Sequence, residues 1–399
     1  MERWFKIAGT FSLIVILSAV IAGCKETEVH GPVDANGAAP PPVRNTAVQN
    51  LPGGAKISYE LPDAKNLLYV LAKYEIRPGV VREAKSSNYI NELEVNGFGS
   101  SGTYQVELYS VGRNEKMSEP VIVTVKPEKP PIFDAFETIS VKEGFGGMTV
   151  SLQNKYKASL AVEILTPDSL GILATETTFY TSLENVVLPV RGFEPEERLF
   201  GVVLRDRWDN FSDTTFVTLT PWFEEPLDKT LFQEMTLPTD YNTPHNQGTA
   251  RMNKIWDGSH SESDFVTAPG HGIPQWFTFD LGVTAKLSRL VLFKRLSNAY
   301  LYNSGAVKRW TLYGSNNPNP DGSFDESWIF LMDCNSYKPS GLPPGENTNE
   351  DLEYARAGEE FTFPEDAPAV RYLRWVTHAN WGNVTHVNIT EIDLFGQVQ

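Results

Sequence analysis

Few side chains in this sequence are placed to make or break a covalent bond. The only sulfhydryls are Cys24 and Cys334, and the stretch from Val43 to Glu225 offers neither a Ser/His/Asp set nor a paired-His spacing. Carboxylate pairs of the kind glycosidases use arise by chance in a chain this acidic, and no large α/β barrel pattern accompanies them. The C-terminal part instead holds groups suited to gripping hydroxyls. Five of the six histidines and most of the tryptophans lie beyond Lys229. Three segments there combine aromatic rings with fixed polar groups: Ser259-His260-Ser261-Glu262; Arg295 to Tyr302, with Asn298, Tyr300 and Tyr302; and His378-Ala379-Asn380-Trp381-Gly382-Asn383. A pyranose requires that mixture, an aromatic plate for its apolar face and oriented donors and acceptors for its hydroxyls. Trp381, flanked by small and polar residues, is read as an exposed loop ring, and Trp256, Trp276, Trp310 and Trp375 as core. A further acidic cluster, Asp206-Arg207-Trp208-Asp209-Asn210-Phe211-Ser212, has two readings: a calcium loop, or a hairpin turn that needs the same Asp and Asn with no ion.

The chain that must position these groups has 399 residues, enough for two or three domains. Its net charge of -16, from 34 basic and 50 acidic side chains, argues against nucleic acid as partner, since phosphate binding needs clustered Lys and Arg and no basic run occurs. At the N-terminus, Arg3 and Lys6 precede an apolar run from Ile7 that closes at Ile21-Ala22-Gly23-Cys24. A basic start, a short apolar core and small residues at its end make an export signal, residues 1–23, too short for a transmembrane span. The last four residues resemble a bacterial lipobox. That resemblance implies cleavage before Cys24 and acylation of its sulfur and new amino terminus. One chain binds membranes marginally, at about 0.8 kcal/mol per buried methylene, whereas two or more anchor stably. Lys25-Glu26-Thr27-Glu28 resembles the Lys-acidic tract of surface-exported Bacteroidetes lipoproteins, which implies the outer membrane, facing outward. Residues 24–42, rich in Gly, Ala and Pro, read as a lipid anchor and flexible tether. With Cys24 lipidated only Cys334 remains, so no disulfide forms, and Cys334 is read as a buried strand thiol.

Two blocks of short alternating runs follow. Residues 43–127 contain Ala55–Tyr59, Leu67–Tyr74 and Tyr104–Val111, separated by turn signals at Pro52-Gly53-Gly54 and Asn96-Gly97. Period-two alternation between such breaks predicts strands, and their spacing a β-sandwich. Pro-x-x-Val at the start, Tyr104-x-Val-x-Leu-Tyr-x-Val and Ser118-Glu119-Pro120-Val121 resemble a fibronectin type III domain, although the usual second-strand Trp is missing. Tyr104 is read as a packed corner tyrosine. Pro127, Pro130 and Pro131 form a stiff connector. Residues 128–228 repeat the pattern with Met148–Leu152, Leu160–Ile164, Val186–Val190, Phe200–Leu204 and Thr215–Leu219, predicting a second, immunoglobulin-like sandwich. Both sandwiches are read as spacers.

Residues 229–399 carry Ile255-Trp256-Asp257-Gly258, Gln275–Gly282, Leu287–Arg295, Trp310–Ser315, Val370–Trp375 and Asn388–Gly396. Phe277, Phe279 and Leu281 alternate on one face, as do Leu290, Leu292, Leu373 and Trp375, so the segments can close a two-sheet core; Gly282 is read as a strand end. This ordered series resembles the discoidin, or coagulation-factor type C, domain, a β-jelly roll shared by family-32 carbohydrate-binding modules. With Lys338–Pro343 and Glu350-Asp351 it is also similar to a Bacteroidetes lipoprotein family of unassigned function that accompanies glycan-import loci. The fold class expected is therefore all-β: two tandem sandwiches, then a discoidin-type jelly roll. The resemblance implies a structural calcium ion held by Asp257 and Glu391, a hard cation taking six to eight oxygens; the alternative is a solvated turn Asp and an exposed strand Glu. It also implies that His260, Arg295 and Asn298 grip hydroxyls, with Trp381 or Tyr300 as the stacking plate. The function expected is a non-catalytic surface lipoprotein that binds carbohydrate beside a glycan-import complex. A protein-binding adhesin or assembly subunit, or a glycosidase, is the alternative.

Overall fold

The computed structural model describes residues 36–260 and 264–399. Cys24, the export signal and the Lys25–Glu28 tract lie outside the described residues, as do Ser261 and Glu262 of the first ligand segment. The described chain is almost entirely β and forms two compact units. One contains the residues up to Glu137 with Asn154–Ala161 and Leu204–Ser212; the other contains Thr138–Gln153, Val162–Val203 and Asp213–Gln399.

In the first unit the strands are β1 (Arg44–Leu51), β2 (Gly54–Glu60), β3 (Leu67–Arg77), β4 (Val80–Ser87), β5 (Glu92–Asn96), β6 (Tyr104–Gly112) and β7 (Val121–Val125). They pair in the orders β1-β2-β5 and β4-β3-β6-β7, the two sheets of a fibronectin-III-like sandwich. Alternate residues point inward: Ala55, Ile57 and Tyr59 from β2, Val70, Ala72 and Tyr74 from β3, Val106 and Leu108 from β6. Tyr104 packs on Phe98, with centroids 4.4 Å apart, and its hydroxyl donates to the Ser100 carbonyl at 3.0 Å. Trp208, from outside these seven strands, is half-buried here. It packs against the same core and lies over Gly97, where a Cβ would meet its ring at 2.8 Å. The Asp206–Asn210 turn is held from within. Asp206 accepts the backbone N–H groups of Trp208 (2.8 Å) and Asn210 (3.0 Å) and the Asn210 amide (2.9 Å). Arg77 donates to the Trp208 and Asp209 carbonyls, and Asn210 to the Gly97 carbonyl. The acidic cluster is thus the hairpin turn of the two earlier readings, its carboxylate spent on backbone donors.

The second sandwich is built from β8 (Ser140–Gly144), β9 (Gly147–Gln153), β10 (Leu160–Pro167), β11 (Leu173–Thr181), β12 (Asn185–Val190), β13 (Arg198–Asp206) and β14 (Phe211–Leu219). Its sheets have the orders β12-β9-β8 and β11-β10-β13-β14.

The third β domain adds β15 (Glu225–Pro226), β16 (Gln233–Met235), β17 (Phe265–Val266), β18 (Gln275–Phe293), β19 (Val307–Ser315), β20 (Ile329–Asn335), β21 (Glu359–Thr362), β22 (Val370–Asn380), β23 (Asn388–Ile389) and β24 (Glu391–Val398). The main ladder runs β15-β24-β18-β22-β19-β20. Strand β18 does not end at Gly282, contrary to the sequence reading. Its first half pairs with β22 (Phe279 opposite Leu373) and its second with β24 (Leu290 opposite Leu394). At the changeover Gly282 takes φ 75°, and a Cβ there would approach the Leu231 carbonyl oxygen to 2.5 Å, so glycine bends the strand without stopping it. Inside, Phe277, Trp375 and Trp310 stack in series with centroids 6.1 and 4.9 Å apart. Buried rings of this size contribute about 3 to 5 kcal/mol each against alanine. Trp276 departs from the expectation that it is core. One residue out of phase with Phe277, it faces outward, half-buried against Phe324 and donating to Thr239 Oγ1.

One polar network ties the segment entering this domain to its sheet. Glu224 accepts Ser288 Oγ at 2.5 Å and Arg289 at 3.2 Å, while Arg289 also reaches Glu360 and stacks 3.6 Å from the Phe395 centroid. Cys334 is fully buried, and burial pushes its thiol well above the usual range. Burial and a neutral thiol suit a packing role on β20.

Candidate functional site

The segment leaving β18 carries Arg295, and the turn that follows, closed by Tyr300 N–H and Leu301 N–H on the Ser297 carbonyl, folds Tyr300 back beneath it. The guanidinium stacks 4.2 Å from the Tyr300 centroid and pairs with Asp264 at 3.1 Å. Asp264 is itself buried, and its other oxygen accepts Thr390 Oγ1 at 2.7 Å. Ring and carboxylate together orient a fork of N–H donors of which only part is used, with a third of the arginine side chain exposed. It faces a groove of about 530 Å³ whose wall includes His245, Asn246, Lys254, Asp264, Arg295 and Tyr300. Beneath Arg295 lies a cavity of about 10 Å³ bordered by Asp264, Tyr300, Asn388 and Thr390, room for one water. Asn388 Oδ1 is buried without a hydrogen-bond partner in the structure.

The structure therefore brings Arg295 and Tyr300 into one site and places the other sequence candidates around or away from it. Asn298 is exposed on the turn beside Tyr300. His260 lies flat on Phe293, with centroids 4.1 Å apart and planes within 4°. Trp381 is half-buried instead of standing at a loop tip. Its ring meets Tyr302 edge-on at 5.2 Å, Lys308 lies 4.6 Å from its centroid, and its indole N–H donates to Ser336 Oγ. Tyr302 is fully buried, and desolvation pushes its hydroxyl far up. His378 sits on strand β22, not in a loop. It shares Thr311 Oγ1 with Asp333, and burial holds its imidazole below the usual histidine range. Sequence reasoning missed Asp264, His245 and Asn246. An acidic residue ahead of a two-residue strand carries no periodic signal, and its arginine lies 31 residues away.

The Asp257/Glu391 corner has a different chemistry. Glu391 is fully buried at the head of β24, where one oxygen accepts Gly258 N–H at 2.9 Å and the other takes the Lys229 ammonium. Lys229 also pairs with Asp393. Burial pushes the Glu391 carboxyl up to about 7 against the pull of Lys229 and Gly258. Asp257 accepts Lys254 at 2.8 Å and Ser259 N–H at 3.0 Å. The two carboxylates expected to share calcium are neighbours, but ammonium and amide donors hold the oxygens a metal would need. Calcium demands oxygen ligands on every side, so this set does not fit it. Among the described residues no group of three or more His, Cys, Asp or Glu is disposed around a common metal position.

Comparison with known proteins adds the following. Residues 40–127, 128–230 and 253–396 match three domains of unknown function, DUF4959, DUF5126 and DUF5000. No curated protein matches the chain. Among solved structures, the C-terminal domain of a chitobiase from Bacteroides fragilis is 17% identical, covering 44% of this chain and 99% of its own, with a TM-score of 0.31. A family-32 carbohydrate-binding module bound to GalNAc is 11% identical, covering 41% and 94%, with a TM-score of 0.25. A SusE-like protein is 35% identical, covering 68% of this chain and 100% of its own, with a TM-score of 0.46. On that sequence identity, sustained over the whole length of the relative, the chain belongs to the SusE-like proteins.

Proposed function

We propose that this chain is a non-catalytic, lipid-anchored protein of the outer-membrane surface that binds carbohydrate in the Arg295 groove of a discoidin-type third domain and assists polysaccharide capture and import. The observation that carries this reading is the guanidinium held between a buried carboxylate and a ring at the wall of a sugar-sized groove. Its remaining donors suit vicinal hydroxyls, the Asn246 side-chain amide lines the same groove, and Tyr300 is the aromatic surface in reach. Weak single-site affinity is sufficient, because many copies anchored on one surface raise the effective concentration. Membership in the SusE-like family and the lipobox-like Cys24 agree with a surface role. The test is a glycan array with the full chain, wild type against Arg295→Ala. Selective binding lost in the variant is expected, and equal binding by both would move the site elsewhere. For the anchor, Cys24→Ala should release the protein to a soluble fraction, and retention in the outer membrane would refute lipidation.

A protein ligand is the second reading, favoured by an exposed apolar patch in which Phe324 and Phe330 flank Tyr313. Failure of every glycan, with a partner lost on Phe330→Asp, would select it.

A further inference from the structure

The connector into the third domain is zipped to the domain's last strand. Glu225 and Pro226 pair with Gly396 and Phe395, and Leu227 N–H donates to the Leu394 carbonyl at 2.8 Å. A 3-10 turn, Lys229–Leu231, follows, capped by Asp228 through Thr230 N–H at 2.9 Å. The turn aims the Lys229 ammonium at Glu391 and Asp393, which share a face of β24 because they are two residues apart in a strand. On the far side of Glu391 the loop offers Gly258 N–H. An ion-binding loop would turn oxygens toward the carboxylates' common cation, whereas these groups present positive charge and N–H donors to the carboxylates themselves. We infer that Lys229 is the resident cation of this corner: its ammonium stands where a divalent ion would bridge loop and terminal strand, so the third domain is complete without metal and its connector is locked to β24 by the same contact.

The inference is independent of what the Arg295 groove binds. Thermal melts of the full chain test it, with and without EDTA and with added calcium, together with metal analysis of the purified protein. Wild-type Tm should ignore both additions, and Lys229→Met should lower Tm by about 10 °C, the scale of stranding a buried charge. The double variant Lys229→Met/Glu391→Gln should recover part of that loss, because the two side chains are coupled. Three outcomes would each overturn it: stoichiometric calcium or an EDTA-induced fall in wild-type Tm, an unchanged Tm in Lys229→Met, or strictly additive losses in the double variant. If Lys229→Met does not fold, the wild-type metal measurements decide alone.

Discussion

The groove and the connector corner of the third domain use the same ingredients to different ends. In each, a buried carboxylate meets a cation that arrives from another segment: Asp264 with Arg295, Glu391 with Lys229. The corner's ammonium has three donors and is shared between two carboxylates, with a buried partner on one side and Asp393 on the other. The groove's guanidinium has five donors in a rigid fork, only part of them taken by Asp264, and it stays a third exposed. A charge pair can become a binding site when one partner keeps oriented capacity facing solvent. It becomes a structural clamp when that capacity is used internally.

The largest expected difference is in stability. In urea unfolding of the full chain, Lys229→Met should cost about 3 to 5 kcal/mol, since it strands a fully buried carboxylate. Arg295→Met should cost less, about 1 to 2 kcal/mol, because Asp264 keeps the Thr390 hydroxyl as donor and borders a groove that water can enter. Equal losses would erase the distinction between clamp and site. Ligand affinity should reverse the order. Arg295→Ala should weaken glycan binding by about tenfold to a hundredfold, about 1.4 to 2.7 kcal/mol, while Lys229→Met, measured where it is folded, should leave Kd within about twofold.

A next, smaller contrast separates the two candidate rings. Tyr300→Ala should lower affinity about tenfold with little loss of stability. Trp381→Ala should cost about 2 to 3 kcal/mol of stability, because the ring is packed on Tyr302 and under Lys308, and leave binding intact. Loss of binding with unchanged Tm in Trp381→Ala would restore the loop-ring reading. The smallest effect is on pH. Glu391 titrates at about 7 in the folded chain, above its ordinary 4.5, so folding takes up a proton there. Its contribution to stability is therefore present below about 4.5 and is lost as pH rises toward about 7. The Tm of wild type relative to Glu391→Gln should fall across that window and level off above it. The penalty of Lys229→Met should shrink toward about pH 5, where the stranded carboxyl can take a proton instead. A flat difference curve would mean that Lys229 fully offsets the burial of Glu391.

Several of the strand runs read from sequence lie within observed strands, but the legibility was uneven. Val106 and Leu108 on β6, or Phe277 and Phe279 on β18, alternate because one face is buried. Strands β4 and β11 were not legible: they are edge strands with mostly exposed side chains, so no apolar alternation marks them. Trp276 was assigned to the core by residue type alone, although its phase one step from Phe277 already placed it on the opposite face. Within the groove, Arg295 and Tyr300 were legible because a single turn joins them, whereas Trp381 was displaced by the packing of Tyr302 and the helix Asn349–Ala357 that carries Ala355.

Periodicity and punctuation in the chain by themselves determined an all-β protein with tandem sandwiches, because strand formation depends on local alternation that any short window contains. Tertiary structure alone decided which cation each carboxylate received. The Arg295–Asp264 pair spans 31 residues and the Lys229–Glu391 pair 162, and no local rule relates such positions. They meet through the changeover of β18 from β22 to β24 at Gly282 and through the pairing of the connector with β24. Register between distant strands, set by the packing of the core they share, put Lys229 against Glu391 and left a third of the Arg295 side chain exposed at the groove.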